Sequence, residues 1–225
     1  MHSDTPISLN RLFSPIVNEP CPNDRAKHFV NHHSFLKLLE QNFSFCEDFG
    51  VFFVDGRLLK LILKILNIPC VYFPGPLFLD RLLAVTPKNR CFFVAANHDV
   101  GNALVKCGYH RYLVVPHINN ENVVSIAREL VAQTQDCRII LGIGSPNQDI
   151  LAQNIIMINE KSDVNCVGAA VEFLVGIQKS CPLTIRKMGI EWLWRLVTNF
   201  RVTLPRVTTS PLKIFWLLIN GTIKR

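Results

Sequence analysis

Short apolar runs alternate along the chain with segments whose apolar residues recur at helical spacing. Runs of four to eight residues predict buried strands at 28–32, 50–55, 70–73, 90–96, 112–116, 137–144 and 164–170. Helical spacing predicts helices at 35–43, 56–66, 77–84, 120–133, 147–156 and 183–200. Strands that alternate with helices in this way predict an α/β fold, with a mostly parallel sheet flanked by helices.

The two ends of the chain depart from this pattern. Residues 1–26 are polar and predict an irregular lead-in, whereas residues 27–196 carry the alternating pattern and predict the main domain. Residues 197–225 are apolar, aromatic and basic, and they predict a helical C-terminal appendage. The boundary between the main domain and this appendage is expected near residues 195–207.

The composition is that of a folded protein, with 49% apolar and 18% charged residues. The mean hydropathy of +0.24 is high. Even so, no run of about 18 apolar residues predicts a transmembrane helix, and the first residues do not resemble a secretory signal. The eight cysteines form no Cys-x-x-Cys pair. They are therefore expected to be small buried hydrophobic residues in a reducing cytosol rather than disulfide partners or zinc ligands.

The net charge of +7 is concentrated near the end of the chain. Residues 1–185 hold 16 basic and 16 acidic residues, whereas residues 186–225 hold eight basic residues and one acid. A block of this kind indicates a phosphate-bearing partner, which leaves nucleic acid, anionic lipid and a diphosphate ligand as alternatives.

Polar residues follow three of the predicted strands, and ligands of parallel α/β sheets bind at such strand ends. Asp55 precedes a glycine, and this pair is either a catalytic carboxylate or a simple turn. The segment 144–149 opens a helix, so its N–H groups either bind an anion or merely begin that helix. Glu172 is a base, a cap or an ion-pair partner.

Common fingerprints of cofactor and hydrolase sites are absent from the sequence. There is no G-x-G-x-x-G, no G-x-x-x-x-G-K-[ST] and no G-x-S-x-G. His28, His32 and His33 lie near a predicted strand end, without a cluster of cysteines or carboxylates around them in the sequence. Neither a metal site nor a cofactor is therefore predicted.

A series of motifs occupies the second half of the chain: GSPNQD (144–149), GAAVEFLVG (168–176), SCP (180–182), GIEWLWRL (189–196), and then Arg201 and Arg206. Their order and spacing resemble those of the WecG/TagA/CpsF family of bacterial glycosyltransferases. The family's motifs are G-x-P-K-Q-E, G-G-A-F-D-F-x-x-G, R-A-P, G-L-E-W-x-x-R-L and spaced arginines. Upstream, FVNHHSFLKLL and FFVDGRLLKL resemble the family's Asn-containing first strand and its A-D-G motif. The resemblance covers residues 28–206 and is weakest between 70 and 136.

The resemblance implies a Rossmann-like fold and an inverting, metal-independent glycosyltransferase. Such an enzyme moves an N-acetylmannosamine-type sugar from a UDP-sugar to a polyprenyl-diphosphate-linked saccharide during synthesis of cell-surface polysaccharide. The aspartate of the A-D-G motif, the family's proposed general base, corresponds to Asp55. The resemblance assigns substrate binding to Asn31, Gly144, Pro146, Gln148, Glu172, Arg195, Arg201 and Arg206.

The same resemblance implies a location on the cytoplasmic face of the cell membrane, which the C-terminal appendage approaches. Trp194 and Trp216 suit a membrane interface, and self-association of the chain stays open. Nucleic acid is not expected as a partner, because the basic residues are interleaved with apolar ones and no known RNA or DNA module is visible.

Several positions depart from the family's motifs. Asn147 and Asp149 replace a lysine and a glutamate, Val171 and Glu172 replace a Phe-Asp pair, and Ser180 replaces an arginine. The arginine and aspartate that usually surround the family's mid-chain glycine are also missing around Pro74-Gly75-Pro76. These departures leave a second hypothesis open, in which the chain is a non-catalytic, membrane-associated scaffold of a polysaccharide-assembly complex.

Overall fold

The fold is taken from a computed structural model of the chain, which describes residues 7–9, 13, 26–41, 43, 45, 50–179, 181–182, 185, 191–198 and 200–224. Two short terminal strands pair with each other in parallel, and six further strands form the main sheet. The strands are β1 (Ile7–Ser8), β2 (Ala26–Val30), β3 (Gly50–Val54), β4 (Cys91–Ala95), β5 (Tyr112–Val114), β6 (Arg138–Gly142), β7 (Asp163–Cys166) and β8 (Ile223–Lys224).

The main sheet is entirely parallel, with the strand order β3-β2-β7-β6-β4-β5. Helices follow most of its strands: α1 (His32–Glu40), α2 (Arg57–Ile65), α3 (Gly75–Val85), α4 (His98–Lys106), α5 (Val123–Gln133), α6 (Asn147–Ile158), α7 (Ala170–Leu174), α8 (Glu191–Thr198) and α9 (Phe200–Ile219). The predicted α/β fold with a parallel sheet flanked by helices is therefore confirmed.

One predicted strand was wrong, and two helices, α4 and α7, were not predicted. The segment 70–73 is not a strand of the sheet, because only Tyr72 forms a bridge to Val54 at the edge of β3. Helix α4 was not predicted, since Gly101 interrupts its apolar pattern. Its glycine is needed for close packing, because a Cβ there would lie 2.5 Å from a ring carbon of Tyr112.

Both faces of the sheet are buried, which explains why its strands read as nearly continuous apolar runs. Helices α5 and α6 cover the centre of one face, and α1, α2 and α9 pack on a neighbouring cluster over β2 and β3. Helices α3, α4 and α7 cover the opposite face. The alternation of side chains along a strand thus directs His28 towards α6 and Phe29 towards α3.

The C-terminal helix α9 packs against α1. Ile214 is 1% exposed and belongs to the hydrophobic cluster that also holds residues of α1 and α2. Two polar contacts join the same helices: the Ser210 hydroxyl lies 2.9 Å from His33 Nδ1, and Lys213 Nζ lies 3.0 Å from Glu40 Oε1. The ion pair is exposed and contributes little, so burial of Ile214 is the main source of this docking. The division of the chain at 196/197 stays a prediction.

Candidate active site

Loops that follow β2, β3, β6 and β7 meet at the carboxyl edge of the sheet. They contain most of the residues that sequence reasoning selected upstream of the C-terminal helices. Asp55 directly follows β3, and its backbone N–H donates to the Val30 carbonyl oxygen at 2.7 Å. Asp55 therefore lies beside Asn31, the first residue after β2.

The turn at Gly56 brings these two loops close together. Gly56 has a φ of +108°, a conformation that side chains strongly disfavour, and a Cβ on it would lie 3.3 Å from the Asn31 Cβ. Glycine at this position therefore lets the chain turn sharply from the sheet into α2. The Asp55 side chain is left half-buried at the strand end.

The start of α3 confines the Asp55 carboxylate on its other side. A Cβ on Gly75 would lie 3.5 Å from Asp55 Oδ2 and 3.4 Å from the Val167 carbonyl oxygen. The carboxylate thus lies between β3, the first turn of α3 and the end of β7.

Asn31 begins α1 with a capping box. Its Oδ1 accepts the backbone N–H groups of His33 and Ser34 at 3.0 Å each, and the Ser34 hydroxyl oxygen accepts the Asn31 N–H at 2.8 Å. A structural role therefore accounts for this oxygen, in addition to the substrate contact that the resemblance implies.

We expect Asn31→Ala to lower the free energy of unfolding by about 1 kcal/mol, since it removes the cap. Asn31→Ser is the matched control, because serine caps helices about as well as asparagine. Urea unfolding and turnover should be measured on both variants. If Asn31→Ser has both wild-type stability and wild-type activity, Asn31 acts as a cap alone. If Asn31→Ser is stable but its activity stays low, Asn31 also contacts the substrate.

The loop between β6 and α6 presents buried acceptor groups. Gly144 has a φ of +79°, and a cis peptide bond joins Ser145 to Pro146. Gln148 is 3% exposed, and its Nε2 donates to the Cys166 carbonyl oxygen at 3.2 Å. Among the described residues, Gln148 Oε1 and Ser145 Oγ have no hydrogen-bond partner. Buried polar atoms are normally paired, so this loop suits a ligand that carries N–H or O–H donors.

Gly168, at the end of β7, lies directly over Gln148. A Cβ on Gly168 would lie 3.5 Å from Gln148 Oε1, and its φ of +56° also disfavours a side chain. Close backbone contacts thus link Asn31 to Asp55, Asp55 to the end of β7, and that end to Gln148. The structure brings these predicted residues to one edge of the sheet.

Asp149 does not extend into this edge but is fully buried against His28. The Asp149 Oδ1 and His28 Nδ1 atoms are 2.6 Å apart, and the two side chains are 0% and 1% exposed. The His28 ring stacks on Phe52, and a Cβ on Gly50 would collide with it at 2.5 Å. The pair fastens the first turn of α6 to β2.

Cys166 lies beside this pair. Burial, reinforced by the nearby Asp149 carboxylate, raises the pKa of the Cys166 thiol well above its ordinary value. Its Sγ faces the Gln148 carbonyl oxygen at 3.7 Å. The thiol is therefore a packed, protonated group rather than a nucleophile.

His28, Asp149 and Cys166 are also the types of residue that bind metals, and their ligand atoms lie within 4.8 Å of one another. Two ligands of one zinc ion, however, lie about 3.3–3.7 Å apart, given zinc–ligand bonds of about 2.0–2.3 Å. The observed 2.6 Å between Nδ1 and Oδ1 is instead the length of a direct hydrogen bond. The geometry is that of a hydrogen-bonded pair beside a thiol.

The remaining predicted residues lie further along the chain. Glu172, in α7, accepts a short hydrogen bond from the Gln178 side chain. Arg201, in α9, is exposed. The side chains of Arg195 and Arg206 lie outside the described part of the chain, so the structure does not place these guanidinium groups.

A depression at the opposite, amino edge of the sheet is separate from this site. It is lined by residues 134–138, 159 and 161–163. Its wall carries Asp163, which pairs with Lys27 at 2.9 Å and with Arg138 at 3.3 Å. These contacts satisfy the charge of Asp163, and the strand-end loops that favour ligands lie at the other edge.

Sequence reasoning missed two features of the site. Gly75 was noted only where the family's arginine and aspartate are missing, yet it flanks the Asp55 carboxylate. The partnership of His28 with Asp149 spans 121 positions of the sequence, and local spacing could not reveal it. A histidine directly followed by the apolar residues Phe29 and Val30 of a buried strand was the available signal.

Comparison with known proteins agrees with the motif order. The model of the glycosyl transferase WecG/TagA/CpsF family matches residues 10–225. Proteins of Staphylococcus aureus strains MRSA252, NCTC 8325 / PS 47 and COL are 23% identical to this chain over 202 residues. Each is named N-acetylglucosaminyldiphosphoundecaprenol N-acetyl-beta-D-mannosaminyltransferase, and the match covers 86% of this chain and 75% of the relative. Both Asp55 and the C-terminal arginines lie inside the segment that the family model matches.

Proposed function

Because the chain belongs to the WecG/TagA/CpsF family of glycosyltransferases, we propose that it transfers an N-acetylmannosamine-type sugar from a UDP-sugar to a polyprenyl-diphosphate-linked saccharide. The reaction inverts the anomeric centre, needs no metal ion and serves cell-surface polysaccharide synthesis. The donor sugar and the acceptor follow the name of the Staphylococcus aureus relatives. The observation that carries the proposal is the placement of Asp55 between Asn31 and the first turn of α3.

Asp55 acts as the general base. Direct displacement at the anomeric carbon requires removal of a proton from the acceptor hydroxyl as the new glycosidic bond forms. A half-buried carboxylate at a strand end is open to an acceptor on one side and held by the backbone on the other. The bond to UDP breaks as the acceptor oxygen attacks, and UDP leaves with the electron pair.

The leaving diphosphate requires positive charge, and without a metal ion fixed cations and backbone dipoles supply it. Arg195, Arg201 and Arg206 are the proposed source, because guanidinium groups bind phosphate oxygens in a forked geometry. The buried acceptors of Gln148 and Ser145 suit hydroxyl or N–H groups of the donor. Gly144 and Pro146 shape that loop, and Glu172 in α7 is proposed as a further substrate contact.

The acceptor is lipid-linked, so the enzyme works at the cytoplasmic surface of the membrane as a peripheral protein. No described helix combines the length and the apolar character that crossing a bilayer requires. Helices α8 and α9 instead expose apolar side chains on their outer faces: Leu193, Val197, Phe200, Leu204, Leu212, Phe215, Trp216 and Ile219. Such a face, with basic residues on the same segment, suits insertion into the interfacial layer of an anionic membrane.

A non-catalytic scaffold is the second candidate function, and two departures from the family's motifs favour it. Asp149 is buried against His28, and Val171 is buried against Gly142, where a Cβ would lie 2.7 Å from Val171 Cγ2. These two positions now serve packing. A scaffold would bind the membrane without turning over any nucleotide sugar.

The test is release of UDP from a panel of UDP-sugars, with a short-chain polyprenyl-diphosphate N-acetylglucosamine as acceptor and liposomes present. We expect UDP release only when both an N-acetylmannosamine-type donor and the acceptor are supplied, because displacement needs the acceptor hydroxyl. Omission of either substrate is the control. A folded, membrane-binding protein that releases no UDP from any donor would support the scaffold instead.

A further inference from the structure

Helix α2 exposes an outward stripe that the proposed reaction does not use. The stripe consists of Arg57, Lys60, Leu61, Lys64 and Ile65, which recur at the spacing of successive helical turns. All five are exposed, and Leu61 and Ile65 are 52% and 62% exposed. The opposite face of α2 is buried through Leu59, Ile62 and Leu63.

We propose that this outward stripe of α2 is a second membrane-contact surface, which binds anionic phospholipid headgroups while its two aliphatic side chains enter the interfacial layer. The proposal rests on the proposed function, which places the enzyme at a membrane, and it adds a contact in the main domain. The C-terminal helices are then not the sole attachment.

Charge identifies the partner as anionic. The stripe carries three basic residues, and α2 contains no acidic residue. Lys60 Nζ lies 4.6 Å from the centre of the Tyr72 ring, which keeps this cation beside the helix. Basic side chains that flank exposed aliphatic ones match the layered chemistry of an anionic bilayer surface, where phosphates lie above apolar chains.

The same charges argue against a second copy of the chain on this surface. A two-fold symmetric contact presents the same patch on both partners. Three positive charges would then face three identical ones, and like charges across an interface are unfavourable. A lipid surface avoids this repulsion and also accommodates Leu61 and Ile65.

The position of α2 connects this surface to the site and to α9. The helix begins at Arg57, two residues after Asp55. It packs on the hydrophobic cluster that also contains Ile214 of α9. Trp216, two residues further along α9, is 61% exposed. Contact through both helices therefore fixes the main domain, and with it Asp55, relative to the membrane that holds the acceptor.

The experiment compares binding to phosphatidylglycerol-containing and pure phosphatidylcholine vesicles by co-sedimentation of the full chain. We expect Leu61→Gln/Ile65→Gln to lower the partition coefficient about tenfold, because two aliphatic side chains lose their apolar surroundings. Lys60→Gln/Lys64→Gln should lower it about fivefold per lysine on the anionic vesicles alone. Met157→Gln/Ile158→Gln is the matched control, since this exposed pair at the end of α6 lies on another surface.

Vesicle binding that both α2 variants retain at wild-type strength would overturn the proposal. So would an equal loss in the Met157/Ile158 control, since the effect would then be non-specific. If the α2 variants change oligomeric state by light scattering but bind vesicles normally, the stripe is a contact between copies, and the proposal also fails. Circular dichroism verifies folding, which exposed substitutions should leave intact.

Turnover of a water-soluble acceptor without vesicles separates this proposal from the proposed function. If the α2 variants keep wild-type turnover in this assay but bind vesicles more weakly, the result supports both the transferase function and the membrane contact through α2. If the wild-type chain shows no turnover at all, the proposed transferase function is rejected. Vesicle binding would still decide whether α2 contacts the membrane.

Discussion

We expect Asp55→Asn to lower kcat by about 100- to 10,000-fold, the usual contribution of a general base, which is the role proposed for Asp55. The amide has the shape of the carboxylate but cannot accept the acceptor's proton. The contacts of the Asp55 backbone with Val30 and the close approach of Gly75 do not depend on charge. The amide keeps both of these contacts, and urea unfolding measures how much stability the loss of the charge removes. Because the loss concerns the transition state, it should appear in kcat rather than only in KM.

Steady-state UDP release and urea unfolding on the same preparations check this result. Asp136→Asn is the matched control: Asp136 is exposed at the amino edge of the sheet, and its φ of +62° is one that asparagine tolerates. An Asp55→Asn enzyme that keeps wild-type kcat would assign proton removal to another group. Equal losses in both variants would point to a global defect.

Asp149→Ala is expected to lower the free energy of unfolding by about 3 kcal/mol, because it leaves a buried hydrogen-bonding atom of His28 without its partner. His28 would lose the carboxylate 2.6 Å from its Nδ1, and it is 1% exposed, so water cannot replace that partner. Total stabilities of domains are only about 5–15 kcal/mol. The loss is therefore large enough to reduce the yield of folded protein.

Denaturant unfolding of four variants, Asp149→Ala, Asp149→Asn, His28→Ala and the double alanine variant, separates the contribution of the pair from that of packing. Asp149→Asn keeps the shape and a hydrogen bond, so it should cost less than Asp149→Ala. His28→Ala combined with Asp149→Ala should cost less than the sum of the single changes, because each single change already breaks the pair. Additive losses, or a loss below 1 kcal/mol for Asp149→Ala, would show that the pair contributes little.

The sequence was sufficient to predict which segments form the sheet but not their order. A strand that is buried on both faces of the sheet needs apolar residues at nearly every position, so an apolar run predicts such a strand, as in β4 and β6. Apolar runs carry no information on which strands are neighbours, so the position of β7 between β2 and β6 could not be predicted. The wrongly predicted strand at 70–73 also shows that an apolar run does not reveal how a segment pairs. This segment lies beside the edge strand β3 and forms a bridge only through Tyr72.

The site was predictable where chemistry follows directly from chain position. Asp55 follows a buried strand, and parallel topology sends all such residues to one edge. The role of Asp149 was not predictable in this way. Its motif position suggested a loop residue, whereas burial against His28 depends on how α6 packs across β2. The capping role of Asn31 was also missed, because its motif suggested substrate binding. Ser34, three residues later, was the signal of a cap.

The place of β2 between β3 and β7 has a consequence for the chain as it is being synthesised. Of the main sheet's strands, β2 leaves the ribosome first, yet β7, which covers one of its edges, leaves last. Lys27 and its partner Asp163 are 136 positions apart, so roughly 7–27 s pass between them at 5–20 residues per second. During that interval β2 has an unpaired edge that neighbouring nascent chains can join. Chains that terminate before residue 163 keep this edge open permanently, and we expect them to aggregate rather than persist as smaller folded proteins.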